Sequence, residues 1–278
     1  MKSYSPTSPS RRQQSNVEYR KLLTGDRPHK ALLKRIKQSS GRNSAGRITQ
    51  RHQGGGNKKM FRILDLKQNK MGSKATVLTV EYDPYRTAFI ALVEYTDKTK
   101  AYILAPHGIT KGAELMIGET TPLKTGNRMK LKNITVGYQI HNVELAPGQG
   151  GKIIRSAGSY AEVLANTDGY TDLKMPSGEV RRVPWECLAT LGQVSNIEHN
   201  LVNIGKAGRS RHMGVRPTVR GSAMNPVDHP YGGGEGAQPR GTKRPKDVYG
   251  NITGGRKTRP KRKPSNRLIV KRRTKNKR

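Results

Sequence analysis

Between residues 61 and 200 short apolar runs alternate with turn residues. The runs are Phe61–Leu66, Ala75–Tyr82, Thr87–Tyr95, Ala101–Leu104, Leu115–Ile117, Met129–Ile134, Gln139–Glu144, Lys152–Ser156, Ala161–Asn166, Tyr170–Met175, Glu179–Val183 and Ala189–Ile197. They are rich in β-branched and aromatic residues, which suit a pleated, half-buried surface. Asp83-Pro84, Asp97-Lys98, Asp168-Gly169 and Pro176-Ser177-Gly178 supply turns between them. The pattern predicts an all-β fold of small barrels in tandem. A polar link, Leu123-Lys124-Thr125-Gly126-Asn127, separates two strand clusters, so the barrels are expected over 61–125 and 126–200. Helix is scarce. A short turn is expected around Glu198–Ile204, and a helical spacing of Leu32, Leu33 and Ile36 marks His29–Lys37.

Outside that body the apolar pattern stops. Residues 1–60 and 201–278 read as basic extensions. The first holds 15 Lys and Arg against 2 Asp and Glu, and the second 22 against 3, while residues 61–200 hold 17 against 14. Ten of the fourteen aromatic residues lie in the body. The extensions have too little apolar surface to offset their chain entropy, so they are expected to be irregular until a polyanion neutralises them.

The whole chain of 278 residues has a formal net charge of +35. Nucleic acid is the partner such a charge favours, because Lys and Arg displace counterions from phosphates. A membrane partner would call for an amphipathic basic helix or an apolar run of roughly 18 residues, and neither occurs in the sequence. Cys187 is the single cysteine and the seven histidines are scattered, which leaves no intramolecular disulfide and no zinc spacing. No cofactor, metal or small-molecule substrate is expected.

Candidate contacts follow from basic residues set among glycines. Arg47, Arg51, His52, Gly54, Gly55, Gly56, Lys58 and Lys59 form one path. Lys206, Arg209, Arg211, Arg216 and Arg220 form a second. Lys261, Arg262, Lys263, Lys271, Arg272 and Arg273 close the chain. Glycine lets a backbone approach a phosphate, and Lys and Arg neutralise it. Gly148-Gln149-Gly150-Gly151-Lys152 is not a nucleotide-binding loop, because that motif needs Gly at 146 and Ser or Thr at 153, where Ala146 and Ile153 stand. Arg86 and Arg155 have apolar or aromatic neighbours and need a partner, either phosphate or a carboxylate such as Asp83. The pair Asp228-His229 lies in a Gly-rich segment without a nearby nucleophile, which makes His229 a poor general base. Cys187, two residues after Trp185, reads as core packing.

Pro6-Thr7-Ser8-Pro9-Ser10-Arg11-Arg12, Gly46-Arg47-Ile48-Thr49, Arg51-His52-Gln53-Gly54-Gly55-Gly56, Glu81-Tyr82-Asp83-Pro84, Gly205-Lys206-Ala207-Gly208-Arg209, and above all Gly214–Gly221 and Met224–Gly236, carry a resemblance. Together they resemble the bacterial form of the second protein of the large ribosomal subunit, over nearly the whole chain. The resemblance implies an OB-like barrel followed by an SH3-like barrel. It implies binding to large-subunit ribosomal RNA, support of subunit association, tRNA binding and the peptidyl transferase region, and a place in the cytoplasmic ribosome. Implied partners are other ribosomal proteins and small-subunit ribosomal RNA at an intersubunit bridge. Arg86 and Arg155 match positions that the family uses for RNA, and His229 matches its histidine discussed in connection with peptide-bond formation. The chain departs at Asn57 and Tyr231, where many members carry His, and its segment 237–264 is unusual in content. Residues 1–17 lack acidic residues, as a transit peptide would. The family pattern begins at Pro6, so they are read as the N-terminal extension.

Overall fold

A computed structural model describes residues 1–25, 27–236 and 241–273. They divide into two units. The first takes Met1–Lys37, Lys58–Lys206 and the chain from Arg267 onward; the second takes Gln38–Asn57 and Ala207–Asn266.

The first unit begins with β1 (Lys2–Ser3) and β2 (Ser15–Asn16), an antiparallel pair, and two single-turn helices, α1 (Pro9–Arg12) and α2 (Tyr19–Leu22). The expected helix over His29–Lys37 is a single 3-10 turn, Lys30–Leu32, that runs into β3 (Leu33–Arg35). So short an apolar stretch cannot hold a helix, and β3 pairs instead with β4 (Met60–Arg62).

The body is one eleven-stranded sheet that curls around two cores. β5 (Ser73–Glu81), β6 (Ile90–Tyr95), β7 (Lys100–Leu104) and β8 (Glu114–Ile117) enclose the first core, with Val77, Val93, Ile103 and Leu115 inside. β9 (Arg128–Lys130), β10 (Gln139–His141), β11 (Ala161–Thr167), β12 (Tyr170–Lys174), β13 (Val180–Pro184) and β14 (Leu188–Leu191) enclose the second, with Met129, Ile140, Val163 and Leu173 inside. A parallel bridge, Ile117 to Arg128, joins the two strand sets across the expected link. Register shifts in β5 at Val77/Thr79 and in β11 at Val163/Ala165 bend the strands around their cores. β15 (Ile269–Lys271) adds the C-terminal segment to the edge at β13.

The N-terminal extension is partly docked. Val17 is buried in the first core, and Thr24 and Gly25 both donate to the Val80 carbonyl. Tyr19 meets Phe89 edge-on at 5.8 Å.

A buried ion pair stands in the second barrel. Arg128 is fully buried; its Nη2 reaches Glu144 Oε1 at 3.1 Å and its Nη1 donates to the Asn142 carbonyl at 2.9 Å. Glu144 also accepts the amides of Gly148, Gly150 and Leu188. One carboxylate therefore fixes a strand end, a glycine loop and β14 together, which offsets its desolvation. Burial also pulls His141 down to about 4, against a hydrogen bond from its Nδ1 to the Gly192 carbonyl at 2.9 Å.

Several strand expectations end early. Phe61–Leu66 stops at Arg62 and pairs with β3 outside the eleven-stranded sheet, and Gln139–Glu144 stops at His141. Met129–Ile134 leaves the strand at Lys130 for a 3-10 turn, Leu131–Asn133. Ala189–Ile197 stops at Leu191, before Gly192 at φ +97°. Lys152–Ser156 is no strand: Val143 and Ile153 make an isolated bridge, and Ile154 then adopts φ +58°. That conformation is unusual for a β-branched residue. The fold holds it by burying Ile154, and its carbonyl accepts the Asn142 amide at 2.9 Å.

Candidate nucleic-acid interface

The second unit is built from backbone contacts and not from a core. No residue of 38–57 or 207–266 is buried among those described. Its sequence carries 17 Lys and Arg against 3 Asp and Glu. Segment 38–57 pairs with the chain after α3 (Ala207–His212). Gln53 bridges Val215, Gly54 N–H donates to the Gly214 carbonyl at 2.9 Å, and Arg216 N–H donates to the His52 carbonyl at 2.9 Å. The glycines permit this approach. A Cβ on Gly56 would lie 2.9 Å from the backbone of Gly214, and Gly54 holds φ +123°. Gly56 is thus committed to an internal crossing, while Gly55 has only the Arg211 guanidinium nearby, 3.9 Å from where its Cβ would be.

This crossing brings Arg51, His52, Gly54, Gly55 and Arg216 around one open basin of about 590 Å³. Arg42, Gln50 and Tyr249 share the lining and were not among the candidate contacts. Arg47 is exposed, with its amide capped by Asn43 Oδ1 at 3.0 Å. Arg209 and Arg211 sit half-buried in α3, each with an Nη1 that is buried and lacks a hydrogen-bond partner. Arg220, Lys261, Arg262 and Lys263 are exposed. Residues 237–240 of the unusual segment, and the basic tract after Arg273, lie outside the described residues.

His229 is half-buried in a compact turn. Its Nδ1 accepts the Tyr231 amide at 3.0 Å, which places the proton of the neutral ring on Nε2. The ring lies against Gly221, where an added Cβ would come within 2.5 Å of it. The Tyr231 ring lies tilted against the His229 ring with centroids 4.9 Å apart, and the Tyr231 hydroxyl accepts the Lys246 amide. Tyr231 therefore braces His229.

The first unit carries the remaining candidates. Arg86 Nε pairs with the fully buried carboxylate of Asp83 at 2.6 Å, and its guanidinium lies 5.5 Å from the Phe61 ring centre. Of the two partners considered for Arg86, the carboxylate is the one present, and the Arg86 side chain stays 22% exposed. Arg155 is exposed directly after the Ile154 bend, with one hydrogen bond to the Gly151 carbonyl at 3.3 Å. Lys59 lies over the Tyr85 ring at 6.0 Å, and Lys58 and Lys206 are exposed. Lys271 ends β15, followed by exposed Arg272 and Arg273.

Cys187 is buried, and burial together with the Glu144 charge pushes its thiol up to about 12, so it is inert as a nucleophile. Among the described residues no group of three or more His, Cys, Asp or Glu is placed to hold a metal ion, and no helix is long and apolar enough to cross a membrane.

Two family models match the chain. Residues 29–117 match the model described as Ribosomal Proteins L2, RNA binding N-terminal domain. Residues 124–250 match Ribosomal Proteins L2, C-terminal domain. The boundary between them falls at the link between the two strand clusters, so the all-β body is the OB-like and SH3-like pair of that family. The chain belongs to the ribosomal protein L2 family, RNA-binding proteins of the large ribosomal subunit.

Proposed function

We propose that this chain binds large-subunit ribosomal RNA through both units and acts in the cytoplasmic ribosome as an architectural protein. In this reading the barrels present Arg86 and Arg155, and residues 38–57 and 207–266 thread between RNA segments near the peptidyl transferase region. The chain supports subunit association and tRNA binding there, contacts small-subunit ribosomal RNA at an intersubunit bridge and touches other ribosomal proteins. The observation that carries the reading is the make-up of the second unit: strongly basic, glycine-crossed and without a buried residue. Such a unit gains its stability from phosphates rather than from a core.

His229 acts by position. Its Nδ1 is occupied by the Tyr231 amide, leaving Nε2–H to donate to a phosphate or a 2′-hydroxyl. Two measurements test the proposal. The chain should stay with the large subunit through a high-salt wash and sedimentation; release into the free fraction would contradict it. Subunits assembled with His229→Gln, at equal incorporation, should form peptide bonds at near-normal rates with an unchanged pH profile. A loss of about a hundredfold or more, with a titration near neutrality removed, would make His229 a general base.

A further inference from the structure

The basin in the second unit holds an aromatic ring that the RNA-binding reading does not use. Tyr249 is 78% exposed, more than any other tyrosine among the described residues. Its place is fixed by its neighbours. Asp247 Oδ1 accepts the amides of Tyr249 at 2.9 Å and Asn251 at 2.8 Å, Gly250 turns at φ +81°, and Lys246 bridges Ile252. This is an aspartate-centred turn whose tip presents the ring. Hydrogen bonds from these amides and Asn251 Nδ2 hold the Asp247 carboxyl below its usual range, against burial, so the turn stays braced at neutral pH.

Arg42, Arg51 and Arg216 line the same basin, all exposed, and none is in an ion pair among the described residues. An exposed ring costs free energy in water unless something covers it, and three unneutralised guanidinium groups select an anion. A duplex offers phosphates but keeps its bases stacked inside. An unpaired nucleotide offers both a phosphate and a free π-face. The volume of about 590 Å³ accommodates one.

We propose that this basin seats an unpaired RNA nucleotide, its base stacked on Tyr249 and its phosphate held by Arg42, Arg51 and Arg216. The proposal rests on the RNA-binding reading and names what this site takes from the RNA.

The test is photocrosslinking of the full chain with a single-stranded oligouridylate bearing 5-bromouridine, which couples to an aromatic ring stacked on it. Crosslinks should concentrate on Tyr249. They should disappear in Tyr249→Ala, persist in Tyr249→Phe, and be absent with a duplex of equal phosphate number. Affinity for the single strand should fall by about 5- to 150-fold in Tyr249→Ala, the effect of one lost base–aromatic stack, with duplex affinity unchanged. Crosslinks spread equally over Tyr82, Tyr85 and Tyr249, or equal losses for both RNAs, would overturn the stacking site while leaving RNA binding intact. Failure of the wild-type chain to retain either RNA would overturn the RNA-binding reading itself. A basin made for an acidic peptide would leave Tyr249 uncrosslinked with RNA bound elsewhere.

Discussion

The barrels and the basic unit reach a defined backbone by opposite means. Residues 61–200 are almost balanced in charge, with 17 basic and 14 acidic residues, and they bury two apolar cores. The second unit has 17 against 3 and buries nothing among its described residues. Burying apolar surface yields roughly 25 cal/mol per Å², and the barrels use it. The second unit has only turns, glycine crossings and backbone hydrogen bonds, each worth about 1 kcal/mol net. The barrels should therefore keep their fold without RNA, and the second unit should not.

The largest effect is expected inside the second barrel. Glu144→Ala removes the partner of buried Arg128 and strips three amides of their acceptor. Losing one member of a buried pair costs about 3–5 kcal/mol, so thermal unfolding should shift sharply downward. A change below about 1 kcal/mol would mean the pair does not organise the barrel.

Acid should act on the barrels through His141. Its pKa falls from 6.5 to about 4 on burial, so the folded state disfavours the proton that the unfolded state binds. Its contribution is complete above pH 6.5 and declines as pH falls toward about 4. The full decline is about 3 kcal/mol. His141→Asn, which can keep a donor toward Gly192, should flatten that part of the stability profile. An unchanged profile would show that His141 is not buried neutral.

The two arginines on the first unit should separate. Each phosphate contact is worth roughly 1.5–3 kcal/mol, so Arg86→Ala and Arg155→Ala should both weaken RNA binding. Arg86→Ala also leaves the buried Asp83 carboxylate without its cation and should lower the melting temperature. Arg155 is exposed, and its loss should leave melting unchanged. Equal melting for the two variants would remove the Asp83 pairing from the account. A smaller effect is expected at Gly221→Ala. The new methyl would push the His229 ring from its place without altering charge. RNA protection around His229 should then change while overall affinity holds.

The barrels were legible in the sequence because periodicity is local. Ser73–Val77 and Tyr170–Lys174 alternate outer and buried positions as strands do, and the polar link at 123–127 marks the change of core. Lys152–Ser156 misled because Ile153-Ile154 looks like a strand, whereas Ile154 bends at positive φ, is buried in the second core and accepts the Asn142 amide on its carbonyl. His29–Lys37 misled because Leu33 fits a strand as well as a helix, and its partner Met60–Arg62 lies far along the chain. The second unit was legible as basic but not as an architecture. Gln53 meets Val215 across more than 150 residues, and no periodicity announces that pairing. Arg128, His141 and Glu144 were overlooked since polar and charged residues within or beside an expected strand read as its solvent face. Glu144 carried one signal, its place just before the loop Gly148-Gln149-Gly150-Gly151, whose amides need an acceptor. Tyr249 was overlooked because it was sought neither in the core nor among the charges.

Hydrogen exchange of the full chain, free and bound to large-subunit ribosomal RNA, tests the contrast most directly. In the free chain, amides of the barrel strands such as Val77, Leu92, Val163 and Leu173 should be strongly protected. Those of Gly54, Asn57, Arg216 and Gly232 should exchange nearly as fast as in an unfolded chain, despite their hydrogen bonds. Binding RNA should slow the second group by orders of magnitude and leave the first little changed. Equal protection of the two groups in the free chain would contradict the account, since the second unit would then hold itself together without its polyanion.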